Sequence, residues 1–330
     1  MTSYRAYRSR QVDGKVTSQI ESVDTPELAD GEVLIAATWS GINYKDALAA
    51  TGAGKIMKRF PLTVGIDAAG CVQASKDSRF QPGDQVLVVG CGLGEEYDGG
   101  FAERVLVQGD WIVPVPKTMS LRDAMAIGTA GFTAAMAVQR IEDNGLHPDI
   151  GPVAVNGATG GVGSLAISML ASRGYRVTAI TGKRESAAYL QQIGATDVLF
   201  SSELNLSARP LEKAQWAGAV DNLGGDMLHW LCATMQPLGS IASIGLASSH
   251  KLNTTVMPFI LRGVNLLGIN STYCPIPLRE KVWQRLATDL RPQALDAIVQ
   301  REVSLNELPK VFAEYLNRQV QGRTLVRINN

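Results

Sequence analysis

Cysteine and histidine are too few and too scattered in this chain to build a metal centre or a disulfide framework. The four cysteines, Cys71, Cys91, Cys232 and Cys274, form no C-x-x-C pair, so the plain reading is free thiols in a reducing compartment. The three histidines, His147, His229 and His250, lie in separate segments and read as surface or structural residues. No metal site is expected. Charge of one sign is also lacking: 31 Lys and Arg balance 31 Asp and Glu, with no extended basic block, which argues against a nucleic-acid partner. No uninterrupted apolar run is long enough to span a bilayer, so no membrane role is expected. Residues 1–8 carry charge with no apolar region behind them, which reads as no signal peptide and a cytoplasmic enzyme.

What remains is an ordinary globular composition, 45% apolar over 330 residues, enough for two domains and a sizeable core. The informative stretch is residues 153–174. A short β-branched run, Val153-Ala154-Val155-Asn156, turns through Gly157, Gly160, Gly161 and Gly163 into a segment whose Leu165, Met169 and Leu170 recur at helical spacing. Strand, tight turn and helix form a pyrophosphate cradle. Unpaired N–H groups and the helix dipole favour an anion, and glycines let the backbone approach it. In the G-x-G-x-x-G register the second and third glycines fall on Gly160 and Gly163, but the first falls on Ala158.

About twenty residues beyond a cradle, an NAD site places an acid for the ribose hydroxyls. Here the strand Val177-Thr178-Ala179-Ile180 runs into Thr181-Gly182-Lys183-Arg184-Glu185-Ser186. Two cations, a hydroxyl and a glycine suit a ribose 2′-phosphate, so NADPH is the expected cofactor. The alternatives are a solvated helix start at Lys183 and Arg184, or Glu185 in the acid's place.

The first third is strand-rich: residues 32–40, 61–72 around Gly65, 80–88 and 101–107, punctuated by Gly and Pro turns, predict a compact barrel. A helix over 121–140, interrupted at Gly128-Thr129-Ala130-Gly131, opens a different texture. Six apolar strands, at 153–156, 176–181, 197–200, 217–223, 240–245 and 264–270, alternate with helices at 164–173, 186–193, 210–216 and 227–235. This predicts a doubly wound parallel sheet whose cofactor lies across the strands' carboxyl ends. The rim loops are then 221–225, 243–246 and 269–271. A tail of helix 278–290, strand 297–303, helix 308–320 and strand 323–328 is expected to return to the barrel.

With Gly128-Thr129-Ala130-Gly131-Phe132-Thr133-Ala134 before the cradle, this order resembles the medium-chain dehydrogenase/reductase superfamily over essentially the whole chain. Asn43-Tyr44-Lys45-Asp46, Gly65-Ile66-Asp67, Ala158 to Gly163 and Gln321-Gly322-Arg323-Thr324-Leu325-Val326 resemble its zinc-independent quinone-reductase-like branch. Residues 43–49 and Pro258-Phe259-Ile260-Leu261-Arg262-Gly263-Val264 are similar to bacterial NADPH-dependent acrylyl-CoA reductases. The resemblance implies an α/β protein with a GroES-like β-barrel catalytic domain, residues 1–122 and 272–330, and a Rossmann doubly wound parallel-sheet cofactor domain, 123–271. The catalytic zinc of the alcohol dehydrogenases needs a cysteine near 44–46 and a histidine where Ile66 stands, and neither is present. Without that Lewis acid, reduction of an activated double bond or a quinone is favoured over alcohol oxidation.

By the same resemblance Thr159, Gly160, Gly161 and Val162 hold the pyrophosphate, and Thr181, Gly182 and Lys183 the 2′-phosphate. Tyr44 lies beside the nicotinamide. Asn270 and Arg318 approach the cofactor from the far rim and the tail, and Thr129, Leu246 and Ile260 also contact it. Tyr44 and Asn43 are the expected catalytic pair, as donors to an enolate oxygen. Asp67 and Asp46 either orient a donor or cap and pair with Lys45. Lys55, Lys58 and Arg59 either meet the phosphates of a coenzyme A thioester or form a solvated face. A homodimer is implied, with residues 264–269 as the pairing edge strand or one half of an internal sheet. An NADPH:quinone oxidoreductase and a non-catalytic NADPH-binding protein are the competing readings.

Overall fold

The computed structural model describes residues 2–207 and 209–329. The chain forms two compact units, one from Met1–Thr129, Thr272–Glu280 and Val299–Asn330, the other from Ala130–Ser271 and Lys281–Ile298.

The first unit is built on two sheets, in which Lys15–Asp24 and Arg104–Gln108 alternate in burial while Gln85–Val89 and Arg323–Arg327 are buried almost throughout. Ser3–Val12 and Lys15–Asp24 pair antiparallel as a hairpin, with Leu62–Thr63 on its other side. Asp13 and Gly14 turn it with φ of 50° and 76°, the pair of positive φ values that a two-residue hairpin loop requires. The second sheet runs in the order Val299–Ser304, Arg323–Arg327, Glu32–Gly41, Asp67–Ser75, Gln85–Val89 and Val113–Pro114, and Arg104–Gln108 also pairs with Glu32–Gly41. Tyr7 of the hairpin packs edge-on against Phe312 at 5.9 Å. Val33, Ile35, Val88, Phe101 and Val326 complete that core. The predicted return of the tail is seen in Arg323–Arg327, which pairs antiparallel with Glu32–Gly41.

The second unit carries a six-stranded, all-parallel sheet in the order Asp197–Phe200, Val177–Thr181, Val153–Asn156, Trp216–Asp221, Met235–Ser243, Asn265–Gly268. The earliest strand, Val153–Asn156, lies third in space, so the connections diverge between it and Trp216–Asp221. That divergence opens the crevice in which ligands of doubly wound sheets bind.

Two expectations are corrected. Residues 210–216 are not helical. Their backbone pairs elsewhere: Glu212 N–H donates to the Ala233 carbonyl at 2.9 Å and Gln215 N–H to that of Thr234 at 2.7 Å. The Arg262 guanidinium also binds the Glu212 carbonyl, together with those of Ala233 and Met235. The unit boundaries also differ from those expected. Residues 123–129 group with the first unit, where Arg323 binds the Met125 and Ala126 carbonyls. Residues 281–298 group with the second, where Trp283 stacks on Phe132 at 6.1 Å and Arg285 binds Gln139 and Glu142.

Candidate active site

The nucleotide-binding candidates of the second unit are set by the turn after Val153–Asn156. Gly157 adopts φ 56°, a left-handed conformation that glycine enters without a Cβ penalty. Ala158, which stands in the fingerprint's first glycine register, is fully buried, so the turning role has moved one residue earlier. A Cβ on Gly163 would sit 2.5 Å from the Gly157 carbonyl oxygen and 2.8 Å from Ala158 Cα. Glycine there lets the helix Gly161–Ser172 close on its strand. Gly160 is different: it is exposed, and its added Cβ would meet only the Gly157 oxygen, at 3.4 Å. The first-turn N–H groups of Gly161, Val162 and Gly163 have no helical carbonyl to pair with. An open glycine at the mouth of such a helix is a cradle shaped for a pyrophosphate.

Buried polar groups lock this crevice. Asn156 Nδ2 donates to Asp221 Oδ1 at 2.5 Å, and Asn156 Oδ1 accepts the Asn222 N–H at 2.6 Å. Burial pushes the Asp221 carboxyl up, while Asn156 and the N–H groups of Gly224 and Leu223 pull it back. The Tyr189 hydroxyl and Ser164 Oγ lie 2.9 Å apart, and Ser164 donates to the Ala158 carbonyl at 3.1 Å. Thr181 ends the neighbouring strand buried, its hydroxyl accepting the Lys183 N–H at 3.0 Å. Gly182 and Lys183 follow it, both accessible. Leu246 and Ile260 are 67% and 72% exposed. Asn270 follows the edge strand Asn265–Gly268.

The other candidate residues belong to the first unit. Tyr44 opens the eight-residue helix Tyr44–Thr51 and is 44% exposed. Asp46 accepts the N–H of Asn43 at 2.7 Å and that of Ile66 at 3.0 Å, closing the helix start as the N3 acid of a capping box does. Burial, reinforced by the Asp67 charge, pushes its carboxyl up to about 7. Asp67, fully buried, accepts Asn43 Nδ2 at 2.9 Å, Thr129 Oγ1 at 2.5 Å and the Thr129 N–H at 3.0 Å. Burial raises it too, opposed first by Arg323, whose Nη2 lies 3.7 Å away.

Arg323, 2% exposed, reaches the carbonyls of Ile42, Met125 and Ala126 and Asn43 Oδ1. Two glycines make room for it: a Cβ on Gly41 would stand 2.3 Å, and one on Gly128 2.8 Å, from Nη2. In the sequence Arg323 stands out only as an arginine inside the apolar strand Arg323–Arg327. Lys45 pairs with Glu95 at 2.9 Å, not with either aspartate. Lys58 pairs with Glu96 at 2.5 Å, and Arg59 binds the Glu96 carbonyl at 2.7 Å and Asp98 at 3.8 Å. Arg318 follows the helix Leu308–Leu316 in a left-handed conformation, φ 57°.

Two family models match the chain, the alcohol dehydrogenase GroES-like domain over residues 29–117 and the zinc-binding dehydrogenase over 161–288. Relatives match over nearly its whole length. "Putative quinone oxidoreductase YhfP" of Bacillus subtilis is 47% identical over 99% of both chains. The chain belongs to the medium-chain dehydrogenase/reductase superfamily. Acrylyl-CoA reductase AcuI of Ruegeria pomeroyi is 45% identical to this superfamily member over 96% of both chains. The crystal structure of the YhfP protein with NAD bound superposes with a TM-score of 0.96, covering 99% of this chain and 100% of that one. The yhdH oxidoreductase of Salmonella enterica, solved with NADP, superposes at 0.95 with 45% identity, covering 98% and 100%.

The dehydrogenase/reductase thus has the GroES-like and Rossmann parts that its sequence predicts. Among the described residues no three of His, Cys, Asp or Glu gather into a group that could hold a metal ion. Among the same residues no helix is long and apolar enough to cross a membrane.

Proposed function

We propose that this NADP-dependent oxidoreductase reduces the carbon–carbon double bond of acrylyl-CoA, or a similarly short α,β-unsaturated acyl-CoA, to the saturated thioester without a metal. The observation that carries this reading is Tyr44, 44% exposed, at a helix start fixed by buried Asp46, Asp67 and Arg323. Thr159 to Val162 would hold the pyrophosphate of NADPH and Thr181 to Lys183 its 2′-phosphate, with Thr129, Leu246, Ile260, Asn270 and Arg318 as further contacts. When bound, NADPH supplies a hydride to the β-carbon of the thioester. The Tyr44 hydroxyl donates to the thioester oxygen as negative charge gathers there, and the α-carbon takes its proton from Tyr44 or from water. Both Asn43 amide hydrogens are committed, to the Gly41 carbonyl and Asp67, so Asn43 acts by holding the Tyr44 corner.

NADPH oxidation by the purified protein, with acrylyl-CoA and a benzoquinone offered in parallel and NADH as control, tests the reading. Saturable turnover of acrylyl-CoA is expected. Tyr44→Phe should lower kcat by about 100-fold and leave the NADPH Kd within about twofold. Unchanged turnover would remove Tyr44 from the chemistry.

A quinone substrate is the second reading, favoured by the ties of Lys58 and Arg59 to Glu96 and Asp98, which leave those cations already compensated. Turnover with the benzoquinone alone would select it. The proposal includes a homodimer joined through Asn265–Gly268, which forms one edge of the parallel sheet with Leu266 and Leu238 exposed nearby in sequence and pairing. Elution at monomer mass across micromolar concentrations would count against it.

A further inference from the structure

The loop expected to receive the ribose 2′-phosphate is walled by a second loop that follows the neighbouring strand Asp197–Phe200. Thr181 and Phe200 are register partners on adjacent parallel strands. The turns that follow, Arg184–Ser186 and Ser201–Glu203, therefore leave the sheet side by side. A Cβ on Gly182 would lie 3.4 Å from Ser201 Oγ. Across this junction the Arg184 guanidinium sits 4.4 Å from the Phe200 ring centroid, and its Nη2 donates to Glu203 Oε1.

The contact has the form of a held reagent. Stacking on an aromatic face keeps the planar guanidinium fork in one orientation, and the carboxylate occupies donors that also match a phosphate in geometry. The side chains of Arg184 and Glu203 remain 61% and 55% exposed, so the pair contributes little to the fold. Its chemical consequence is selective. A ribose 2′-phosphate must displace Glu203 from Arg184, or bind beside its negative charge. A ribose that carries only hydroxyls leaves the pair intact.

We propose that Glu203 sets the preference between NADPH and NADH by competing with the ribose 2′-phosphate for Arg184. The proposal rests on the reading of NADPH as the cofactor. It assigns the role to a residue outside the phosphate loop, and Phe200 presents the arginine to both competitors.

Dissociation constants for NADPH and NADH, read by fluorescence without substrate at about 50 mM salt, where surface charges are weakly screened, test it on four proteins: wild type, Glu203→Gln, Arg184→Ala and the double variant. Glu203→Gln should tighten NADPH about fivefold and Arg184→Ala should weaken it about tenfold, as expected for one charge removed beside a dianion. NADH should stay within about twofold in both. With Arg184 absent, the glutamine should shift NADPH less than about twofold. An unchanged NADPH constant in Glu203→Gln overturns the proposal, as does equal tightening of NADPH and NADH, or an undiminished effect without Arg184. Wild type binding NADH as tightly as NADPH, with 2′-AMP failing to compete, would instead remove the cofactor reading on which the proposal stands.

Discussion

Asp67→Ala is expected to destabilise the first unit by about 3–5 kcal/mol, the usual consequence of removing one partner of a buried ion pair. Arg323, 2% exposed, would be left without the carboxylate that lies 3.7 Å from its Nη2. The Thr129 N–H and hydroxyl and one Asn43 amide hydrogen would lose their acceptor as well. A thermal midpoint lower by on the order of 10 °C should follow. Arg323→Met on the alanine background should recover part of the loss by removing the uncompensated charge. A fall of less than about 1 kcal/mol in urea unfolding would show that the surrounding carbonyls, not the aspartate, satisfy Arg323.

Gly163→Ala and Gly160→Ala should separate the cradle's packing from its binding role. At Gly163 the new methyl meets backbone at 2.5 Å and 2.8 Å, so the helix must withdraw from the strand. The NADPH Kd is then expected to weaken on the order of 100-fold, about 3 kcal/mol, together with a lowered thermal midpoint. At Gly160 the methyl points into open space apart from one contact at 3.4 Å. There the fold should be unaffected and binding should weaken about tenfold, because the methyl occupies the approach to the helix N-terminus. Titration of cofactor fluorescence alongside thermal unfolding checks both. A Gly160→Ala protein with unchanged affinity would place the phosphates elsewhere.

The sequence was most readable where structure is local. The strand Val153–Asn156, its glycine turn and the helix behind it lie within twenty residues, and hydrophobic period and turn chemistry specify them together. The rest depended on partners that no window contains. Residues 210–216 have helical spacing, yet their backbone bonds to the segment at 233–234. The N-terminal hairpin turns on Asp13-Gly14, a signal confined to two residues between strands of mixed polar and apolar side chains. Arg323 shows the limit most clearly. Its identity was visible as part of a motif, but its meaning lies in Asp67, Gly41 and the carbonyls of 42, 125 and 126. The spatial relation between Glu203 and Arg184 likewise needed the register of two parallel strands.

The first unit is assembled from three separated stretches of chain, and this gives its folding a timetable. Arg323 lies 281 residues after Ile42, whose carbonyl it binds. A ribosome has therefore made all the strands of the parallel sheet before it makes the cation that compensates Asp67. Through that interval the nascent sheet containing Glu32–Gly41 keeps an unpaired flank where Arg323–Arg327 will add, a surface that invites other strands. The nucleotide unit can complete its hydrophobic core first, as a body synthesised in nearly one piece. That flank of Glu32–Gly41 can be covered by Arg323–Arg327 only once the last residues of the chain have been made.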